Sequence, residues 1–198
     1  MSWFFELGDL SLTELIVETG IHDAIAKKLN EKGKLSRNAI AEGIINNVRK
    51  TIIREQLTDP AFYAQMSTLL EDLIKQSRAD ATAYDVFLRQ AEALVKRLAA
   101  RQPEAGVPAV LHGNREASLL FGNLDKMPAS TFKYPTADED KVGLALRLDR
   151  AVRESAPAGW KGDEVRERQV LNALFPLLDR DREATKALFD IIKRQPGY

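Results

Sequence analysis

The residues that could do chemistry in this chain are few, and their spacing gives little support for catalysis. Its 198 residues contain no cysteine, which excludes thiolate nucleophiles, disulfides and every cysteine-based zinc or iron–sulfur site. The sequence has neither a glycine-rich phosphate loop ending in Gly-Lys-Ser or Gly-Lys-Thr nor a Gly-x-Gly-x-x-Gly motif. The remaining familiar nucleophiles are serine or threonine paired with histidine, and the chain has only two histidines.

Neither histidine has the neighbours expected of a catalytic base or a metal ligand. His22 lies beside Asp23 in a predicted helix, where a partly exposed helical residue is favoured over a catalytic one. His112 precedes Gly113 in a stretch rich in proline and glycine, and one histidine without a neighbouring carboxylate is weak evidence for a metal. The sequence therefore predicts no catalytic residue and no metal site in this chain.

Carboxylates are abundant, and several are adjacent. A metal-dependent nuclease needs acidic ligands and a lysine that converge on one site, usually at a sheet edge, and the sequence predicts no sheet. The acidic run 138–140 falls in the first turn of a predicted helix, where the exposed N–H groups stabilise negative charge. Capping of a helix is therefore the favoured interpretation of that run. The adjacent carboxylates are Glu71 and Asp72, Asp138 to Asp140, and Asp163 and Glu164.

The basic candidates lie on a long helix predicted from Ser36 to about Gln56. Two of them are adjacent and point about 100° apart around the helix, so they form no narrow stripe. Surface charges in water, or ion pairs with Glu42 and Glu55, are the favoured interpretation, and contact with a phosphate is the alternative. The candidates for an interface or a phosphate contact on this helix are Arg49, Lys50, Arg54, Asn46 and Asn47.

Trp160 and Lys161 lie in a connection just before a predicted amphipathic helix. A tryptophan in such a place often anchors the core with its indole N–H satisfied. It could instead be a hot spot of a protein interface. We favour the core anchor for Trp160 and keep both residues as interface candidates.

The charge balance gives no sign of autonomous nucleic-acid binding. Lysine and arginine number 29 and aspartate and glutamate number 29, and both signs are mixed along the chain. No block has the sustained positive field that neutralises phosphates. The longest apolar runs, such as residues 119–121, fall far short of the ~20 residues needed to cross a bilayer, and the first residues lack the pattern of a signal peptide. We expect a soluble, cytoplasmic protein without a membrane segment.

Apolar residues recur with helical periodicity in almost every segment, and no segment alternates apolar and polar residues over five or more positions. The sequence predicts an all-α fold, a multi-helix array of about seven to eight helices. A short helix is predicted over residues 21–30, and Ser36, Asn114 and Asp181 are predicted N-caps of later helices. The pattern is clearest in the long helix, at Ile40, Ile44, Val48 and Ile52.

The pattern of helices breaks between residues 102 and 113, where prolines and glycines concentrate. We predict a linker over 102–113 that separates an N-terminal helical sub-bundle, residues 1–101, from a C-terminal helical sub-bundle, residues 114–198. The residues that interrupt the pattern are Pro103, Gly106, Pro108 and Gly113.

Several sequence blocks occur in a definite order along nearly the whole chain. They are Lys28–Leu35, Ala39–Lys50, Asp59–Tyr63, Met66–Leu70, Ala145–Glu154, Trp160–Asp163, Glu167–Val170 and Gln195–Tyr198. Together these blocks resemble the C-terminal region of the restriction (R) subunits of type I restriction–modification enzymes. Several blocks in the right order are much more specific than any one of them.

One stretch departs from the pattern of that family. Where the family pattern reads Arg-Ala-Leu-Tyr-Asp-Asn-Leu, residues 116–124 read Glu-Ala-Ser-Leu-Leu-Phe-Gly-Asn-Leu. The arginine and the tyrosine are replaced, whereas the asparagine is retained as Asn123. No pairing that the arginine makes in relatives is therefore carried over to this chain.

The resemblance implies an all-helical C-terminal module of a large polypeptide that is an ATP-driven DNA translocase and endonuclease. ATP and magnesium are then expected for the parent subunit and no cofactor for this chain, which lacks the phosphate loop and the nuclease residues. The partners implied are the methyltransferase and specificity subunits, with DNA bound by the parent complex. A non-catalytic docking module is the leading hypothesis. Binding to the DNA backbone and a purely structural cap are its alternatives.

Overall fold

The computed structural model describes residues 10–29, 35–79, 83–101 and 106–198. Over those residues the backbone forms nine α-helices and no β-strand, which confirms the predicted all-α class. None of the helices in these ranges is long and apolar enough to cross a membrane. The helices are α1 (Leu12–Thr19), α2 (Ile21–Ala24), α3 (Arg37–Glu55), α4 (Pro60–Ala79), α5 (Tyr84–Ala100), α6 (Arg115–Asn123), α7 (Asp138–Ser155), α8 (Glu164–Leu174) and α9 (Arg182–Lys193).

The predicted N-caps start their helices. Ser36 accepts a hydrogen bond from the N–H of Ala39, and Asn114 accepts one from Ala117. Asp181 caps α9 in the same way. These bonds satisfy N–H groups that have no partner within the helix, which is why each helix begins where the sequence places it.

The helix predicted over 21–30 has a different form. Ile21–Ala24 is one α-helical turn, and Ile25–Leu29 continues it as a wider π-helical turn. The predicted end at Asn30 lies outside the described residues.

The chain divides into two compact units. The first unit comprises Met1–Gln56 and Phe62–Glu104. Helices α1, α3 and α5 contact one another within it, and the four-residue spacing along α3 points a row of isoleucine and valine side chains into the core. The fully buried members of this core include Leu15, Ile16, Ile21, Ile44 and Met66.

The second unit comprises Leu57–Ala61 and Ala105–Tyr198. Within it, α6 packs on α7, α7 on α8 and α8 on α9. A 3₁₀ turn over Ala109–Leu111 places Leu111 in the core, so the predicted linker contributes a fully buried side chain. Residues 102–105 of that linker lie outside the described ranges. The short segment Leu57–Ala61 groups with this unit, although the predicted division placed it in the N-terminal half.

Candidate functional site

Helix α3 positions the candidate cations. Ile44 and Val48 are buried in the core of the first unit, so the opposite side of the helix faces outward. Asn46, Arg49 and Lys50 are exposed on that side. The apolar periodicity that fixes the inner side of α3 therefore also fixes which polar residues a partner could reach.

Two of the candidates on α3 already have partners within the chain. Arg54 donates from Nε to Oε1 of Glu55 at 2.9 Å, so the predicted pairing with Glu55 holds for this residue. Asn47 donates from its side chain to the carbonyl of Gly43 at 2.8 Å. Arg49 and Lys50 form no ion pair with any residue in the described part of the chain.

Ile53 is the one member of this surface that the sequence analysis missed. Its side chain is 59% exposed, and it follows Arg49 by four residues and Lys50 by three. At 100° per residue Ile53 projects between those two cations. The sequence does indicate this position, because Ile53 falls outside the four-residue register of the buried isoleucines. We call Asn46, Arg49, Lys50 and Ile53 the outer face of α3.

Trp160 lies in the core of the second unit, with only 3% of its surface exposed. Its ring lies 5.7 Å from that of Phe189, centroid to centroid. The placement is that of a core anchor and not of an exposed contact. Its indole Nε1–H is buried with no acceptor, however, so the N–H is not satisfied as a core tryptophan normally requires.

The side chain of Lys161 contacts residues of its own unit. Its amino group donates to the carbonyl of Gln195 and lies 5.6 Å from the centre of the Trp160 ring. Burial lowers the pKa of Lys161. This lysine ties the C-terminal residues to the core, and its charge is not directed outward as that of an interface contact would be.

A polar cluster surrounds Asp149 in the second unit; we define the Asp149 cluster as Asn114, Glu116, Asp149, Arg153 and Tyr198. The carboxylate of Asp149 accepts from Asn114 Nδ2 at 2.8 Å, from Arg153 Nε at 3.0 Å and from the Tyr198 hydroxyl at 2.8 Å. Arg153 also reaches Glu116 at 3.1 Å and lies over the Tyr198 ring.

The cluster shifts the ionisation of its members. Burial acts to raise the pKa of Asp149, but the hydrogen bonds from Asn114, Arg153 and Tyr198 outweigh burial and lower it overall. Burial and the hydrogen bond to Asp149 raise the pKa of Tyr198. The carboxylate of Asp149 accepts hydrogen bonds from three donors, so the cluster joins Tyr198 to α6 and α7.

Two buried amides hold the Leu57–Ala61 segment. Asn123 is fully buried; its Oδ1 accepts from the Ala61 N–H at 2.9 Å and its Nδ2 donates to Oδ1 of Asp59 at 2.8 Å. The side chain of Gln195 donates to the carbonyl of Thr58 at 2.7 Å. Asn123 therefore satisfies an N–H in the first turn of α4, which explains why these residues group with the second unit.

The carboxylate of Asp181 joins the start of α9 to a loop. One oxygen accepts from the N–H groups of Glu183 and Ala184, and the other accepts from those of Thr131 and Phe132. These backbone hydrogen bonds, that of Thr131 foremost, hold the pKa of Asp181 well below its usual range. The residue is a structural anion and its lone pairs are occupied.

The remaining carboxylates and histidines do not converge. In the described ranges, no group of three or more histidine and acidic side chains could hold a metal ion. The acidic run Asp138 to Asp140 occupies the first turn of α7, as predicted, although no side-chain cap bond forms at Ala137. His22 is exposed, and His112 lies with Nε2 3.2 Å from the carbonyl of Val107.

A shallow groove of about 310 Å³ runs between α4 and α5 in the first unit. Its lining includes Leu69, Leu73 and Leu94, and Oδ1 of the lining residue Asp72 lies 3.5 Å from Nζ of Lys75. No residue pattern in it favours a particular ligand. The groove is lined by Leu69, Asp72, Leu73, Gln76, Gln90, Ala93, Leu94 and Arg97.

Comparisons of the chain with protein-family models, with curated proteins and with solved structures give no match. The function must therefore be argued from the residues of this chain: the outer face of α3 and the buried polar contacts of the second unit.

Proposed function

We propose that this chain is a non-catalytic helical assembly module, which docks the R subunit of a type I restriction enzyme onto its methyltransferase–specificity core. The observation that carries the proposal is the outer face of α3. There two cations without ion-pair partners among the described residues flank an isoleucine that is 59% exposed. A surface that combines an exposed apolar side chain with charged and polar neighbours has the composition of a protein interface.

The contacts inside the second unit support the scaffold role within this proposal. Asp59 contacts Asn123, the retained asparagine of the family pattern, and Lys161 contacts Gln195. Blocks that lie far apart in the sequence thus supply partners to one another. Residues that specify one fold are expected to meet in this way, whereas a catalytic set would leave reactive groups open to a substrate.

The proposal places catalysis in other parts of the parent subunit. ATP and magnesium would act there, and this chain would contribute attachment in the cytoplasm. In the described part of the chain, the buried carboxylates of Asp149 and Asp181 are each saturated with hydrogen-bond donors. They therefore suit a scaffold.

The test is complex formation with a purified methyltransferase–specificity core. The chain and the core are mixed at tens of micromolar and separated by size-exclusion chromatography with light scattering. We expect the chain to co-elute with the core at a defined stoichiometry. Absence of a complex at this concentration contradicts the proposal. The purely structural cap predicts a different result, in which deleting the module from the parent lowers folding yield but leaves core affinity unchanged.

Binding to the DNA backbone is the second candidate function, favoured by the free charges of Arg49 and Lys50. Phosphate contacts release counterions, so affinity should fall steeply as salt rises. Fluorescence anisotropy with a mixed-sequence duplex at several salt concentrations measures that slope. The double variant Arg49→Gln/Lys50→Gln should reduce the slope by about 2 if both residues contact phosphates. Negligible binding at low salt eliminates this function.

A further inference from the structure

The outer face of α3 has a defined order of side chains. Asn46, Arg49, Lys50 and Ile53 occupy positions i, i+3, i+4 and i+7, which lie on one side of a helix. All but Ile53 are polar, and all are exposed. They form a continuous strip about two turns long, opposite the buried row of Ile44, Val48 and Ile52.

Along the helix, the two positive charges of this strip have no acidic neighbour within one turn. The neighbours of Arg49 one turn away are Ile45, Asn46, Ile52 and Ile53, and those of Lys50 are Asn46, Asn47, Ile53 and Arg54. None is acidic. Arg54 already pairs with Glu55, so its charge is partly neutralised. Arg49 and Lys50, which are consecutive residues in one turn, therefore present two free positive charges, and a negative surface complements them.

The position of Ile53 decides what kind of negative surface fits. A lone exposed isoleucine is ordinary, but this one projects between two free cations. An exposed apolar side chain one turn from two unpaired cations offers a partner protein both an apolar and a charged contact. Contacts with phosphates would involve only Arg49 and Lys50, and they would leave Ile53 against the charged DNA backbone.

We propose that the outer face of α3 binds an acidic segment of a partner protein, in which aspartate or glutamate side chains flank an apolar side chain. The apolar side chain covers Ile53, and the carboxylates pair with Arg49 and Lys50. Asn46 supplies a hydrogen bond at the end of the strip. This inference rests on the proposed docking function and names the chemistry of the docked surface.

The first test measures the affinity of the full chain for the methyltransferase–specificity core by isothermal titration calorimetry. Ile53→Asp should weaken binding on the order of thirtyfold, as expected for an interface hot spot. Arg49→Glu/Lys50→Glu should weaken it at least about tenfold and should reverse the effect of salt, because attraction is replaced by repulsion. Circular dichroism confirms that each variant is folded.

The matched control is on α8. Val165 is 72% exposed, and Arg168 is exposed three residues later, so the pair copies the apolar and cationic character of the outer face. Val165→Asp/Arg168→Glu should bind as the wild type does. Equal binding by the wild type, the control and both face variants overturns this inference and leaves the docking function standing. Failure of the wild type itself to bind overturns both.

The second test identifies the chemistry of the partner directly. A photo-crosslinking phenylalanine derivative replaces Ile53 in one variant and Val165 in another, and the crosslinked peptides of the core are sequenced by mass spectrometry. We expect position 53 to capture a peptide rich in aspartate and glutamate, and position 165 to capture none. A basic or uncharged peptide at position 53 overturns the inference, and so does crosslinking to DNA in its place.

Discussion

The outer face of α3 and the buried polar contacts of the second unit use the same residue types in opposite ways. Asn46 is exposed on α3, whereas Asn123 is fully buried and makes hydrogen bonds from both ends of its amide. Arg49 has no ion-pair partner in the described part of the chain, whereas Arg153 contacts two carboxylates and an aromatic ring. Asn123 is paired because a buried polar group must be paired, and the exposed Arg153 is paired because the carboxylates of Asp149 and Glu116 lie beside it.

The largest expected effect on stability comes from Asn123. Asn123→Ala leaves the buried N–H of Ala61 without its acceptor and removes the donor to Asp59. Each lost partner of a buried group costs about 1–3 kcal/mol, so we expect a loss of about 3 kcal/mol in the free energy of unfolding, measured by urea titration.

Asn46→Ala is the matched control for that change. It removes an exposed amide and should raise the free energy of unfolding by at most about 0.7 kcal/mol, because alanine is the better helix former. Equal effects of the two substitutions would contradict the contrast between the two regions.

Substitution of Asp149 should give the next largest loss in the free energy of unfolding, and that loss should depend on pH. Asp149→Asn keeps the shape but weakens three hydrogen bonds that a carboxylate accepts. Since charged hydrogen bonds contribute about 1.5–3 kcal/mol each, we expect a loss of about 2 kcal/mol at pH 7. The folded pKa of Asp149 lies below its ordinary value of 3.8.

The sign of the pH effect follows from that lowered pKa. The contribution of Asp149 is fully present above its unfolded pKa and is lost as the pH falls through the lower folded value. The difference in unfolding free energy between wild type and Asp149→Asn should therefore shrink as the pH falls below about 4. Urea titrations from pH 7 to pH 2 measure it. A difference that is constant over this range shows that the charge of Asp149 contributes nothing.

Much of the fold follows from local sequence, and the parts that do not are those that depend on distant partners. Ser36 and Asp181 start helices through bonds to residues three positions away, so sequence pattern suffices to find them. The contact between Gln195 and Thr58 joins residues 137 positions apart, and no local pattern indicates it. The apolar periodicity likewise does not indicate the π-helical turn after Ala24.

The exposed side of α3 could be predicted from the sequence. The exposed positions of Arg49 and Lys50 follow from the sequence, because the apolar residues of α3 recur every four positions and define its buried side. The register of the buried isoleucines leaves Ile53 on the outer side of α3, but the sequence prediction named only polar and charged residues there. Trp160 was placed correctly in a core, but its buried, unpartnered N–H depends on packing of the whole unit.

A smaller effect is expected at Gly197, where the chain packs closely on the Asp149 cluster. A Cβ added at Gly197 would overlap the carboxylate of Glu116, so Gly197→Ala must displace that side chain from Arg153. The atoms that must move are the carboxylate at the end of the flexible Glu116 side chain. We therefore expect a loss of only about 1 kcal/mol in the free energy of unfolding. The thermal unfolding midpoint measures it.

Gly122 provides the control, since it lies in α6 with no atom within 4 Å of an added Cβ. Gly122→Ala should raise the unfolding midpoint, because alanine is favoured over glycine in a helix by about 0.5–1 kcal/mol. Two substitutions of the same kind should thus have opposite signs. A destabilising effect at both positions would mean that close packing at Gly197 is not the cause.

The smallest effect on stability is expected on the outer face of α3, and it separates the two regions most sharply. Arg49→Gln/Lys50→Gln removes two charges that have no ion-pair partner among the described residues, so the free energy of unfolding should change by less than about 0.5 kcal/mol. The same variant should weaken binding to the methyltransferase–specificity core, with a larger loss at low salt than at high salt. Urea titration and calorimetry on one protein preparation measure both quantities. Destabilisation by more than about 1 kcal/mol would place these residues with the buried contacts, as parts of the fold and not of a docking surface.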